Sequence, residues 1–307
     1  MRQIRKSRLG KFLRKSGLAV VSTRKVPPTP VGLRKRRRSD TLFVLGSGAS
    51  INQIRDWDTV ASHDSVGFNF WMVHEFVPTF YFFEGNSRYA GYIQQIRAGC
   101  EPSDSQLPAR LASLARLIAV RAEKYRNVLL FSKQRSGCKA IELFLWRAGL
   151  SYRPFVSENF AAPTAAQLAA RCTALRKSHF TKSLRFFSQG VASVELNVVL
   201  AWQMGYSKVV LCGVDLTNTD YFFYDPSYRH LADEGLVPPN TQLGRTHKTN
   251  DPAQAWGGLP VREVLEIYQE NLLKEDCRIY VENPDSALAD AFPLFTLRDA
   301  STSHLQP

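Results

Sequence analysis

Acidic side chains are absent from the first 38 residues of this 307-residue chain, where Lys and Arg number 14. The remaining residues hold 26 basic and 27 acidic side chains, so the net charge of +13 is the +14 of that arm less 1. The pI of about 9.7 therefore belongs to the arm and not to the body. No apolar run reaches the roughly 18 residues that a bilayer-spanning helix needs. Gly17 to Val21 is too short for a signal-peptide core, and no clear cleavage site follows it. The five cysteines (Cys100, Cys138, Cys172, Cys212 and Cys277) are scattered and odd in number. They form neither a disulfide framework nor a zinc spacing, which points to a reducing cytosol. A P-loop of the form GxxxxGK[ST] is absent as well.

The arm has two parts. Arg2 to Val21 has the pattern of a basic amphipathic helix, with Ile4, Leu9, Phe12, Leu13 and Val20 set among Arg and Lys. Pro27, Pro28 and Pro30 interrupt it, and Arg34-Lys35-Arg36-Arg37-Arg38 follows. Residues 2–38 suit an anionic membrane surface, where each basic side chain contributes about 1 kcal/mol. A nucleic-acid partner is the rival reading, but Phe12 is the arm's one aromatic and offers little for base stacking. The bland reading is a solvated tail.

Past the arm, the most informative stretch is Thr41 to Ser50, TLFVLGSGAS. Five residues suited to a buried strand run into Gly46-Ser47-Gly48-Ala49-Ser50, and a helical pattern of Ile51, Ile54, Trp57 and Val60 follows. A strand that ends in a glycine-rich turn at a helix start is a phosphate-binding arrangement. The glycines let backbone come close, and free N–H groups of the first turn face an anion. Such turns also join strands to helices for packing alone. The dinucleotide fingerprint GxGxxG is incomplete, because Ile51 holds its third glycine position. The second strand, Ser65 to Asn69, ends in Asn and not in an acid for a ribose diol. This argues against an NAD enzyme, and Asn69 suits a mononucleotide's base or sugar.

The chain can bury a full core, as one large or two small domains. Strands are expected at Thr79–Glu84, Asn127–Ser132, Lys208–Cys212 and Arg278–Val281. Helices are expected at Leu107–Lys124, Lys139–Ala148, Thr164–Leu175, Val194–Met204 (ended by Gly205), Val261–Leu273 and, briefly, Ser286–Ala291. The middle, Leu150 to Phe187, gives no clear pattern beyond its one helix. Leu216 to Pro260 is too long for a simple connection and reads as a functional loop or lid. Strands alternating with helices imply an α/β fold, a mostly parallel sheet with helices on both faces, which binds ligands beyond the carboxyl ends of its strands. The organisation is a basic arm over 1–40, one nucleotide-binding domain over 41–295 with a lid at about 216–260, and a tail over 296–307.

The lid carries Thr217, Asn218, Tyr221, Tyr224, Asp225 and Tyr228, then Arg245, Thr246, His247, Lys248, Thr249, Asn250 and Asp251. Tyrosine hydroxyls bind phosphate oxygens without adding charge. A histidine in a polar loop titrates near neutrality and can take a proton from a hydroxyl nucleophile, although most lone histidines are simply exposed loop residues.

Gly46-Ser47-Gly48-Ala49-Ser50, Asn69, Gly205-Tyr206, Lys208–Asp215, Tyr221–Asp225 and His247–Asp251 occur in an order that resembles the bacterial sialyltransferases of glycosyltransferase family 42. The resemblance spans roughly Thr41 to Phe295. It implies a Rossmann-like domain of GT-A-type variant with a small lid, a CMP-activated sialic acid donor, inversion at the anomeric carbon, and neither cofactor nor catalytic metal. In its terms Gly46, Ser47, Gly48, Ser50, Asn69, Ser193, Asp215 and Thr217 contact the nucleotide. Tyr221 or Tyr224 holds the leaving phosphate, and His247 is the general base. Glu84, Asn86, Arg185 and Arg245 meet the sugar or the acceptor. Thr217 stands where the family has its first phosphate tyrosine, and a one-residue gap leaves Tyr221 and Phe222 as rivals for the second. Those departures leave sialic acid and Kdo both open as donor sugars. The acceptor would be a glycan, capsule or lipopolysaccharide-type molecule, met by a peripheral enzyme on the cytoplasmic side of the inner membrane. The alternatives are a pterin diphosphokinase-like enzyme on the same core, which needs ATP and a divalent ion, and a non-catalytic adaptor that acts through the arm.

Overall fold

The computed structural model describes residues 30–85, 87–98, 107–133, 138–160, 162–177, 185–189, 192–217, 220–239, 249 and 258–297. The expected arm helix over Arg2–Val21 lies outside the described residues. So do Asn86, Arg245 and His247.

Eight strands form one sheet among these residues: β1 Thr41–Leu45, β2 Asp64–Phe68, β3 Phe80–Phe83, β4 Leu129–Lys133, β5 Tyr152–Asn159, β6 Arg185–Ser188, β7 Lys208–Cys212 and β8 Arg278–Val281. Their spatial order is β6-β5-β4-β3-β2-β1-β7-β8, and every pairing is parallel. Strand order reverses between β1 and β7. Leu45 lies opposite Cys212 there, so the turns that follow both strands open side by side.

The helices are α1 Pro30–Arg34, α2 Trp57–Ser62, α3 Ile93–Arg97, α4 Ala109–Arg121, α5 Cys138–Arg147, α6 Ala165–Lys177, α7 Ser193–Met204, α8 Arg229–Asp233 and α9 Val261–Tyr268. Alternation along each strand feeds two cores. Leu42, Val44, Phe82 and Phe131 face α7, α6 and α9 on one side. Phe43, Leu45, Tyr81 and Phe83 face α4, α5 and residues 222–237 on the other. α7 is apolar almost all round and buried to match. Gly205 ends it in the left-handed region, with φ of 77° and its N–H on Trp202 O.

Three expectations need correction. β5 and β6 occupy the middle segment that gives no strand pattern in sequence. Gln269–Leu273 continues α9 as a π-helical turn and not as α-helix. Ser286–Ala291 is a run of turns and not a helix, because Ser286 Oγ donates to Val214 O at 2.8 Å and ties the segment to the turn after β7.

The described end of the arm is docked. Arg34 Nε donates to Gln203 O at the end of α7 (3.0 Å), and the Arg37 guanidinium lies over the Tyr206 ring. Arg38 meets the fully buried Asp64 through its backbone N–H (2.7 Å) and its Nε (3.0 Å), and the Tyr206 hydroxyl donates to the same carboxylate at 2.9 Å. Asp40 O accepts from the N–H groups of Ser207 and Lys208. All of these contacts lie at the amino ends of the strands. Three residues of the basic run are therefore packed against the body and are not part of a free tail.

Candidate functional site

At the β1/β7 switch the two turns lock together. Gly46 N–H donates to Cys212 O (2.8 Å) and Gly48 N–H to Gly213 O (2.7 Å). A Cβ on Gly46 would lie 2.4 Å from Gly213 O, and one on Gly48 would lie 2.3 Å from Asp215 Oδ2. Gly213 has φ of 63°, and a Cβ there would meet Ile51 Cγ1 at 2.4 Å. Glycine is required at all three positions by this close approach.

The expected cradle of free N–H groups is corrected here. Asp215 reaches across from the second turn to the first. Its Oδ2 accepts from Ser50 N–H (3.0 Å), and its Oδ1 accepts from Ser50 Oγ (2.5 Å) and from Asn283 Nδ2 (2.9 Å). The anion that caps the short 3-10 helix Ala49–Gln53 is thus the chain's own carboxylate. Leu216, next along, is a buried bulky residue at φ of 59°, a conformation that costs energy for any side chain but glycine.

Ser47 stands apart from its neighbours. It is buried, and its hydroxyl finds no hydrogen-bond partner among the described residues. Its carbonyl accepts from Phe222 N–H at 3.0 Å, and Gly48 bridges to Tyr221 in antiparallel fashion. The tyrosine segment is therefore seated directly on the glycine turn. Burial separates Tyr221 from Phe222. Phe222 is fully buried against Trp71 and His74, while Tyr221 stays partly exposed and stacks on Phe223. Tyr224 lies 5.8 Å from Tyr221, ring to ring, and burial pushes its hydroxyl up to about 12 despite the nearby Arg110 charge. It is protonated at neutral pH and available as a donor. Thr217 is exposed on the same turn.

Asn69 follows β2 with φ of 57°, exposed, and its carbonyl accepts from the buried Tyr81 hydroxyl at 2.8 Å. Asn is the non-glycine residue that best tolerates this conformation, so the strand end gains a polar side chain where most residues would be strained. Glu84 follows β3, and Ser193 opens α7. The structure brings these two together, as Ser193 Oγ donates to Glu84 Oε2. Lys133, at the end of β4, donates to Glu84 Oε1 at 2.6 Å. Arg185 begins β6, at its amino end, away from the carboxyl edge where the other candidates gather.

Three residues escape a reading of the sequence: Asn283, Lys133 and Glu282. Glu282 follows β8, and burial, then the Asp215 charge, raises its carboxyl to about 7. Their one sequence signal is position, within two residues after a predicted strand. Asp56 caps α2 by accepting from Thr59 N–H at 2.9 Å. Among the described residues no helix is long and apolar enough to cross a membrane.

No protein-family model matches the chain, and no curated protein matches it. Among solved structures it is similar to the monofunctional alpha-2,3-sialyltransferase Cst-I from Campylobacter jejuni, at 15% identity and a TM-score of 0.40, over 86% of this chain and 82% of that one. It is also similar to the sialyltransferase CstII from that organism in complex with the substrate analogue CMP-3FNeuAc, at 12% identity and a TM-score of 0.37, over 83% and 84% of the two chains. CstII in complex with a trisaccharide acceptor and CMP gives 13% identity and a TM-score of 0.38, over 83% and 85%.

Proposed function

We propose that this chain is a glycosyltransferase that takes an acidic 2-keto sugar, sialic acid or Kdo, from its CMP donor and passes it to a glycan acceptor with inversion. The observation that carries the reading is the seam at the β1/β7 switch. A buried serine hydroxyl, without a partner among the described residues, sits between a glycine-rich turn and a half-buried tyrosine pair. An unpaired buried hydroxyl is costly, and a nucleotide phosphate at Ser47 would satisfy it.

In this reading the nucleotide meets the exposed side of the Gly46–Gly48 turn, Thr217 and Asn69. Ser50 and Asp215 act by holding the two turns in register. Tyr221 and Tyr224 donate to the departing phosphate, where charge develops in the transition state. His247 takes the acceptor proton as the single base that an inverting attack needs. Ser193, Glu84, Asn86 and Arg245 serve the sugar and acceptor side, and Arg185, at the far end of β6, takes no part. The reaction requires no resident cofactor. Membrane association at the inner face of the cytoplasmic membrane falls to the basic residues of the arm that the body does not engage.

Calorimetric titration with CMP, and separately with ATP and magnesium, tests the reading. CMP binding that persists in His247→Ala, while CMP release from CMP-sialic acid or CMP-Kdo is lost, is the expected result. Binding of ATP-magnesium without CMP would move the chain to the diphosphokinase-like alternative. Binding of neither would leave the arm as the functional element.

A further inference from the structure

Glu84 and Lys133 close the carboxyl edges of neighbouring strands. Beneath them Phe82 and Phe131 are paired in register and stacked at 4.7 Å. Lys133 is buried, with 7% of its side chain exposed, while Glu84 keeps 23%. An approaching ligand therefore meets the carboxylate and not the ammonium. One further contact reaches the carboxylate, and two tie down its neighbours. Ser193 donates to its second oxygen, Gly85 N–H is held by Cys138 Sγ at 2.9 Å, and Asn197 Nδ2 donates to Ser193 O at 3.0 Å. Asn197 Oδ1, one turn below Ser193, is buried without a partner among the described residues.

A buried ion pair adds little to stability compared with apolar side chains of the same volume. What this pair does supply is a carboxylate with both oxygens oriented and 23% of its side chain exposed at the carboxyl end of the sheet. Such a group is an acceptor only, and the ligand groups that match it are hydrogen-bond donors, which on a sugar are chiefly hydroxyls. We infer that Glu84, positioned by Lys133 and Ser193, reads hydroxyl groups of the transferred sugar. This rests on the CMP-sugar reading above and narrows it. The sugar's own carboxylate must point away from Glu84, since two carboxylates at hydrogen-bond distance repel. Lys133 is a positioning residue here, because it acts through Glu84.

The test compares CMP with CMP-sialic acid and CMP-Kdo by calorimetry on the full chain and on Glu84→Gln, Lys133→Arg and Ser193→Ala, with thermal melts alongside. Glu84→Gln is isosteric and keeps an oxygen for the buried Lys133, and the melts identify the variants that stay folded. The expected result is that Glu84→Gln lowers affinity for one of the CMP-sugars by about tenfold, on the scale of one hydrogen bond to a charged group, and leaves CMP affinity unchanged. Lys133→Arg should retain most of the sugar's advantage, and Ser193→Ala should lose part of it. An equal change for CMP and the CMP-sugars, or a lowered melting point with the sugar preference intact, would overturn the inference and leave a purely structural pair. A wild-type chain that binds none of the three ligands would overturn the CMP-sugar reading, and this inference with it.

Discussion

Ser50 and Asp215, 165 residues apart, are joined twice: the backbone N–H and the hydroxyl of Ser50 both donate to the one carboxylate, at 3.0 and 2.5 Å. This bond pair holds the β1 turn to the β7 turn. Asp215→Ala leaves two donors of Ser50 and the amide of Asn283 buried and unpaired. We expect a loss of roughly 2–4 kcal/mol, read by urea denaturation, together with loss of CMP binding.

Gly48 and Gly213 are fixed by space. Ala at 48 would drive a methyl into Asp215, and Ala at 213 would drive one into Ile51 at a positive φ. Each substitution is expected to destabilise by about 2 kcal/mol, with Gly213→Ala the worse of the two. Thermal melts of both variants check the order.

The docked basic run gives a sharp contrast between two truncations. Removing residues 1–29 should leave the melting temperature of the body unchanged. Removing residues 1–38 deprives the buried Asp64 of its Arg38 partner. Roughly 2 kcal/mol should then be lost, discounted for the half-exposed guanidinium. The full chain and the chain without residues 1–29, sedimented with vesicles of anionic lipid, test whether that segment carries the membrane affinity.

Stability should depend on pH through Glu282. Its carboxyl has an ordinary value of 4.5 and sits at about 7 in the fold, raised by burial and then by Asp215. Between those values the folded state holds a proton that the unfolded state does not. The contribution is complete below the lower value and is lost as pH rises through the upper one. Glu282→Gln should therefore gain on the wild type in melting temperature from about pH 5 to about pH 8. Parallel curves would remove Glu282 from the pH response.

Much of the sheet was legible because its strands are short apolar runs with clear ends. Thr41–Leu45, Lys208–Cys212 and Arg278–Val281 stand in the structure with the bounds their residues imply. β5 is masked in sequence by Pro154 and by its polar end, Ser157-Glu158-Asn159, and β6 is four residues long. Neither carries the alternation that marks a strand. In the site, the glycine turn, Asn69 and the tyrosines could be named from the chain alone. The partner that caps the turn could not be, because Asp215 arrives from 165 residues away. Lys133 was hidden for the same reason: an ion pair across two strand ends leaves no local pattern.

The clasp formed by Arg34, Arg37 and Arg38 gives the molecule a direction. It grips the amino ends of the strands, and the glycine turn, Asn69 and Glu84 crown the opposite ends, about 17 Å away along a five-residue strand. Whatever engages the exposed Lys35 and Arg36 of this clasp therefore stands at the end of the sheet opposite the glycine turn.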